Sequence, residues 1–249
     1  MKKYFLGAAA ALALAAPGIA SAETTAEVGV TLGNIDFGAG GDADTLGING
    51  AFSHETGNGL TIQFDGSHTR LDAGADLGVG NVSASLGMRN EGHAFYGFLG
   101  MSDVDAFSST NLGVGGQLFL DRFTLNGSYG HAEIDTVNVD FDSLHIDGTY
   151  FFTDNFGVGA ELGQSEIDAG GGDEWTTLGV NGVYRFNGSP FAINAAYRNL
   201  DFDLGGEAEV LRIGFTYNIG TSSELERSRS GASFNGARVL AEDVGALLY

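Results

Sequence analysis

Four arginines and three carboxylates carry most of the chemistry this sequence offers. Arg89, Arg185, Arg198 and Arg212 fall on one parity of their alternating segments, and Asp65, Asp147 and Glu161, with His145, fall on the same parity. Guanidinium groups keep their charge at any relevant pH. Set opposite carboxylates across a water-filled bore, they create a transverse field that sorts solutes by charge and dipole. In a narrow bore the same groups would instead pair into a salt-bridge network that fills it.

Hydrolytic chemistry is weakly supported. It needs an Asp–His pair, or Ser and His together, in an accessible cleft. His54, His68, His93 and His131 lie on or near the opposite, apolar parity at segment ends, and only His145 shares the parity of the charged set. His131 with Glu133 and Asp135 is the best such cluster. It reads as an interfacial rim, so no catalytic residue is assigned. "GAGGDADT" and "DAGGGDE" have the composition of Gly/Asp calcium loops, but single partial copies are not the regular repeat such loops require. The chain has no cysteine, which removes disulfides and thiolate metal sites. Neither a metal nor a cofactor is expected.

The elements that must position these residues begin after a leader. "MKKYFLGAAAALALAAPGIASA", residues 1–22, has two lysines, an apolar run and a small-x-small site at Ala20–Ala22. That is the pattern of a secretory signal peptide, too short to span a bilayer. Its removal takes both lysines and leaves nine arginines against 32 acids, a formal charge of −23 against −21 for the whole chain. Such a charge excludes a nucleic-acid partner. Two prolines and 41 glycines without a three-residue period favour many strands joined by tight turns.

Short turn clusters recur about every 33 residues: "TGNG", "NEG", "LDR", "TDN" and "NGSP". Longer acidic segments alternate with them, among them 38–44, 102–110, 134–142 and 201–209. A period near 33 also suits helical repeats, and the hydrophobic period decides against them, because it is two and not 3.6. Ten strands carry an uncharged apolar parity, such as Leu46, Ile48, Gly50, Phe52 and Leu211, Ile213, Phe215, Tyr217, Ile219. "EVGVTL" and "HAFYGFLGM", the latter with no clear parity, raise the count to twelve. The opposite parity is polar or small.

Alternation alone does not separate a soluble sandwich or barrel from a membrane barrel turned inside out. The leader, strands of nine to twelve residues, and aromatics gathered beside the short turns (Phe123, Tyr150, Phe152, Phe156, Tyr184, Phe191 and Tyr217 among them) favour the membrane barrel. Arginine on a lipid face costs roughly 2–4 kcal/mol at the midplane, so the arginines must point inward. The expected fold is therefore all-β: an antiparallel up-and-down transmembrane barrel of about twelve strands over residues 23–220. Both termini, and a tail of residues 221–249, are expected at the short-turn, periplasmic side. The acidic segments are expected to form a strongly negative outer mouth.

On these features the chain resembles small Gram-negative outer-membrane porin-like β-barrels. The most specific match is "RIGFTYNI", in which Arg212, Gly214, Tyr217 and Ile219 resemble the last-strand signal read by the outer-membrane assembly machinery. The resemblance implies a passive channel for small hydrophilic solutes or ions in the outer membrane. Outer-membrane lipid, lipopolysaccharide and the assembly machinery are its implied partners. Adhesion or a purely structural barrel is the alternative, lowered by the short loops, and an outer-membrane hydrolase is the third reading. General porins have about sixteen strands and a long constriction loop, which no segment here supplies.

One departure stands out. Such barrels usually end at the last strand, yet "TSSELERSRSGASFNGARVLAEDVGALLY" follows Gly220. Val239, Leu240, Val244, Leu247 and Leu248 have the spacing of a short amphipathic helix. That tail lies at the mouth, enters the lumen as a partial plug, or stays disordered.

Overall fold

The computed structural model describes residues 23–38, 41–72, 76–104, 107–135, 139–168, 172–203 and 205–246. The expected signal peptide, Leu247 and Leu248 lie outside these residues. Twelve antiparallel strands form a closed barrel: β1 Glu23–Asp36, β2 Asp42–Glu55, β3 Leu60–Asp72, β4 Asp76–Arg89, β5 His93–Val104, β6 Phe107–Leu120, β7 Phe123–Ile134, β8 Val139–Thr153, β9 Phe156–Asp168, β10 Asp173–Arg185, β11 Phe191–Phe202 and β12 Glu207–Ile219. Each strand pairs with its sequence neighbours, and β1 closes on β12 from Ala26↔Ile219 to Asp36↔Glu209. Closure leaves no unpaired edge, which a strand in hydrocarbon requires.

The apolar parity faces outward. Leu99, Leu86, Leu112 and Phe215 are among the most exposed large side chains. Aromatics beside the short turns meet edge-on across the outer wall, with Tyr150–Phe152 at 5.0 Å, Tyr184–Phe186 at 5.4 Å and Phe191–Tyr217 at 5.1 Å between centroids. This is the girdle that an interface at that height favours.

Two expectations change. The strands run 12–15 residues, longer than expected, because most of the acidic segments are the hydrogen-bonded ends of strands. Their carboxylates also do not ring the bore. Asp42, Asp72, Asp103, Glu166, Glu174 and Glu209 project from the outer face of the wall and are exposed. At the same height the inner face is apolar: Ile35, Leu71, Phe141, Trp175, Leu200 and Val210 are all buried. Phe141, Trp175 and Phe202 pack there as tilted pairs, with centroids 5.3 and 5.5 Å apart. Strict alternation continues past the membrane band, but which parity is polar inverts. The negative mouth is therefore a negative outer collar around an apolar inner one. Within β5 the ambiguous parity resolves with Tyr96 and Phe98 inward and Phe95, Leu99 and Met101 outward.

The chain does not stop at the wall. Gly220, at φ +84°, turns it into the lumen; a Cβ there would strike the carbonyl oxygen of Thr24. Inside lie α1, Glu224–Ser230, and α2, Gly236–Gly245. The Ser223 hydroxyl caps α1 by accepting from the Glu226 amide at 3.1 Å, while the Glu226 carboxylate accepts from the Ser222 amide at 2.6 Å. The tail thus starts at the short-turn mouth, as expected, but it does not remain there. Its far end packs against Val79, and Asp243 against Ser143, both ten residues up their strands from the short turns.

Because an L-residue at positive φ is strained and Thr24 blocks a side chain, Gly220→Ala should unseat the tail without opening the barrel. A cost of about 1.4 kcal/mol would raise the fraction of tail accessible to trypsin, at Arg227, Arg229 and Arg238, about tenfold in membrane-reconstituted protein. An unchanged cleavage rate would show that the turn does not depend on glycine.

Candidate functional site: the tail and the passage beside it

The seven residues expected inside the barrel, Arg89, Arg185, Arg198, Arg212, Asp65, Asp147 and Glu161, all take inward positions; five of them meet the tail, and within the set Arg198 and Glu161 pair with each other. At the short-turn end Arg185 is buried and clasps the segment after Gly220. Its guanidinium donates to the Thr221 carbonyl at 2.6 Å, the Thr221 hydroxyl at 3.0 Å and the Ser189 carbonyl at 2.9 Å. Arg89 pairs with Glu55 at 3.2 Å and donates to the Gly231 carbonyl at 3.1 Å and the Ser233 hydroxyl at 3.2 Å. Its guanidinium carbon sits 4.6 Å from the centre of the Phe234 ring.

Between the helices, residues 231–235 are irregular backbone at membrane depth, tolerated only where the protein satisfies it. Two buried wall glutamines do so. Gln63 donates to the Phe234 carbonyl at 2.8 Å and accepts from its amide at 3.0 Å. Gln117 donates to the Ser233 carbonyl at 2.9 Å and accepts from its hydroxyl at 3.2 Å. Phe234 stacks on Tyr96 at 4.3 Å with an 11° tilt. Asp65 accepts from Gln63 at 2.9 Å.

Helix α2 is amphipathic inside the bore. Ala237, Leu240 and Val244, at spacings of three and four, are buried against the wall of β4–β8, where Leu240 fills the space above Gly130. Its N-cap Asn235 makes no capping bond: its amide nitrogen donates to Asp147 at 3.2 Å and its amide oxygen accepts from the Tyr96 hydroxyl at 3.4 Å. Asp147 also accepts from Asn126 at 2.6 Å. On the other face, Glu242 accepts from Arg198 at 2.5 Å and Arg212 at 2.9 Å, and Glu161 takes the remaining face of Arg198 at 2.5 and 2.9 Å. Glu27 of β1 meets Arg227 of α1 at 3.2 Å and Arg238 of α2 at 3.7 Å. Burial works against charge on Glu242, but the guanidinium groups of Arg212 and Arg198 outweigh it and hold the carboxyl well below its ordinary value.

Since α2 leans on β4–β8, the other half of the bore stays open. A cavity of about 360 Å³ lies between the tail and the wall, bounded mainly by β1–β3 and β10–β12 but also by Asn126 of β7, His145 and Asp147 of β8 and Glu161 of β9; it includes Asn218 and Glu27 near the short turns and Leu71 and Val79 toward the other end.

The remaining sequence candidates lie elsewhere. His131 joins neither Glu133 nor Asp135. It faces the outer wall, 3.1 Å from Asp142, which also accepts from the Tyr129 hydroxyl at 2.5 Å. His54 contacts the Thr24 hydroxyl at 3.0 Å and His93 the Asn90 amide at 2.9 Å, both at the short-turn rim. In β12, Arg212 and Gly214 face inward and Tyr217 outward, with Ile219 paired to Ala26 of β1. Sequence reasoning missed Glu27, Glu242, Arg227 and Arg238. Glu27, a charge of lumen parity within the segment "EVGVTL", was the available signal.

No protein-family model matches the sequence, and no curated protein matches it. Solved structures do share its fold. The COG4313 outer-membrane channel from Pseudomonas putida F1 superposes with a TM-score of 0.59 at 13% identity, covering 81% of this chain and 97% of that one. The KdgM porin in complex with disordered oligogalacturonate gives 0.54 at 15%, covering 77% and 98%. The translocator domain of the autotransporter NalP from Neisseria meningitidis gives 0.51 at 11%, covering 87% and 95%. The fold is that of outer-membrane porin-type β-barrels.

Replacing Glu242 by Gln leaves Arg212 without a charged partner and Arg198 with Glu161 alone. The set is only partly buried, so removing one partner costs about 2 kcal/mol, and E242Q should unseat α2 and speed tail proteolysis more than tenfold. The pH dependence follows from the lowered carboxyl. Its contribution is complete above the ordinary value of 4.5 and is lost only as pH falls through the lower folded value. The Glu242 contribution should therefore persist from about pH 8 to about pH 5, so that the wild type and E242Q differ by the same factor across that range and converge only in stronger acid; a difference that vanished near neutrality would contradict it.

Proposed function

We propose that this barrel is an outer-membrane channel for small hydrophilic solutes whose own C-terminal segment, residues 221–246, occupies half the bore and sets its width. The observation that carries the reading is the cavity beside the tail, lined by charged, amide and hydroxyl side chains among apolar ones, inside a closed barrel with an apolar outer band. The charged residues expected to act as a selectivity constriction act here first as the tail's clasp. Their field reaches a solute only as what these pairs leave uncancelled. The KdgM structure contains oligogalacturonate, a polyanion. A chain with formal charge −21 offers such a solute little.

The short-turn mouth is assigned to the periplasm, and β12, with Arg212, Gly214, Tyr217 and Ile219, to the assembly machinery. The outward collar of carboxylates is assigned to the lipopolysaccharide headgroup layer, where divalent cations bridge acids to lipid phosphates. The inner apolar collar of Phe141, Trp175 and Phe202 supports a second reading, a barrel that does not conduct, since a dry apolar constriction bars ions.

Planar-bilayer recording separates the two. The full chain should show a small conductance in KCl, and deletion of residues 222–249 should raise it severalfold. Silence from both proteins would leave a structural barrel; equal conductance would show that the tail does not set the bore.

A further inference from the structure

The open half of the lumen is chemically unlike the rest of the chain. The residues lining it include five carboxylates (Glu27, Asp147, Glu161, Glu224, Glu242) and four guanidinium groups (Arg198, Arg212, Arg227, Arg238), leaving −1 with His145 neutral in a protein of −21. Each of these arginines has a carboxylate within 3.7 Å. Asp147, the one acid without a guanidinium, accepts from two amides and lies 3.7 Å from His145. Ions passing here meet charges that already cancel.

What remains on the wall is neutral. Asn49, Asn181, Asn194, Thr45 and Thr69 line the cavity, and each lies over a glycine directly opposite on the next strand: Gly29, Gly159, Gly214, Gly33 and Gly47 respectively. A Cβ at Gly29 would stand 2.6 Å from the Asn49 amide oxygen, one at Gly159 2.8 Å from that of Asn181, and one at Gly33 2.7 Å from the Thr45 hydroxyl. The glycines let these side chains lie flat along the wall, so hydrogen-bonding groups cover the surface without narrowing the bore. Among the described residues, the Asn49 and Asn181 side-chain amides take no protein partner, while Asn194 donates to the Thr216 hydroxyl at 3.3 Å. Amides and hydroxyls offer a donor and an acceptor together, the pairing that a sugar or polyol hydroxyl matches.

The apolar collar above sharpens the choice. Dehydrating an ion there costs far more than dehydrating a neutral hydroxyl compound. A cavity of about 360 Å³ lies within the usual range of roughly 300–1,000 Å³ for small-molecule sites. We infer that the passage is a binding path for small uncharged polyhydroxy solutes, monosaccharide-sized sugars or polyols, held by the amide and hydroxyl wall of β1–β3 and β10–β12. The inference rests on the channel reading for its transport consequence, but the site itself does not need conduction.

The test therefore measures both entry and binding on the full chain. In liposomes, D-glucose should enter about tenfold faster than gluconate or glucosamine of the same carbon count, the equivalent of one uncompensated hydrogen bond. By calorimetry the micellar protein should bind glucose and not gluconate. The triple variant Asn49→Leu, Asn181→Leu, Asn194→Leu should abolish both preferences, and the triple serine variant, which keeps hydrogen bonding at each position, should retain them. Entry of charged solutes as fast as glucose, with no glucose binding, would overturn the site and leave the channel standing. Binding that depends on the asparagines without any permeation would support the site and remove the channel. A serine variant that behaves like the leucine variant would overturn the hydrogen-bonding basis of the proposal.

Discussion

One carboxylate of the tail, Glu242, is shared by two arginines of the wall, Arg198 and Arg212, and the interior is arranged around that contact. A twelve-stranded barrel encloses more space than its own inward side chains fill, and four inward arginines cannot be left unpaired in it. The tail answers both constraints. Its apolar face covers the β4–β8 side, where Tyr96 and Phe98 point inward; its other face gives the Glu242 carboxylate to Arg198 and Arg212, and its backbone and hydroxyls take up Arg89 and Arg185. Glu27 does the converse, a wall carboxylate taking Arg227 and Arg238 from the tail. Ion pairs of this kind specify position more than they add stability. Here they determine which half of the bore is filled and which stays open.

Much of the architecture was legible because a membrane barrel repeats one physical rule twelve times. Lipid demands an apolar outward parity, and residues such as Leu112, Leu162 and Phe215 obey it without exception. That β12 pairs with β1 follows from "RIGFTYNI" being the last strand, which has to close the sheet; its register comes from the structure. Where a second rule competes, the pattern misleads. Above the lipid band the outward parity is free to be acidic and the inward parity to be apolar, so Asp42 and Glu174 read as loop residues although they end strands. In β5 both parities are apolar, one facing lipid and the other facing α2, and no periodicity separates the two.

The candidate site was half legible. Inward arginines follow from the cost of placing them in lipid, but what they would face depends on tail residues 30 to 150 positions away in the chain. The spacing of Leu240 and Val244 announced a helix. Nothing local announced that Arg198 and Arg212 would receive it, or that Gln63 and Gln117 would bind the irregular backbone at Ser233 and Phe234. Asn49 over Gly29 belongs to the same class: each is unremarkable in its own strand, and the meaning lies in the register that sets them opposite each other.

The central claim is that the tail is seated in the lumen of the folded protein. The chain has no cysteine, so a single thiol reports its own surroundings. Val244 of α2 is fully buried against the wall. In a Val244→Cys variant reconstituted in lipid, a water-soluble maleimide should leave the thiol unlabelled until the barrel is denatured. Labelling as fast as in the denatured protein, while the barrel remains folded, would place the tail outside the lumen and contradict the account.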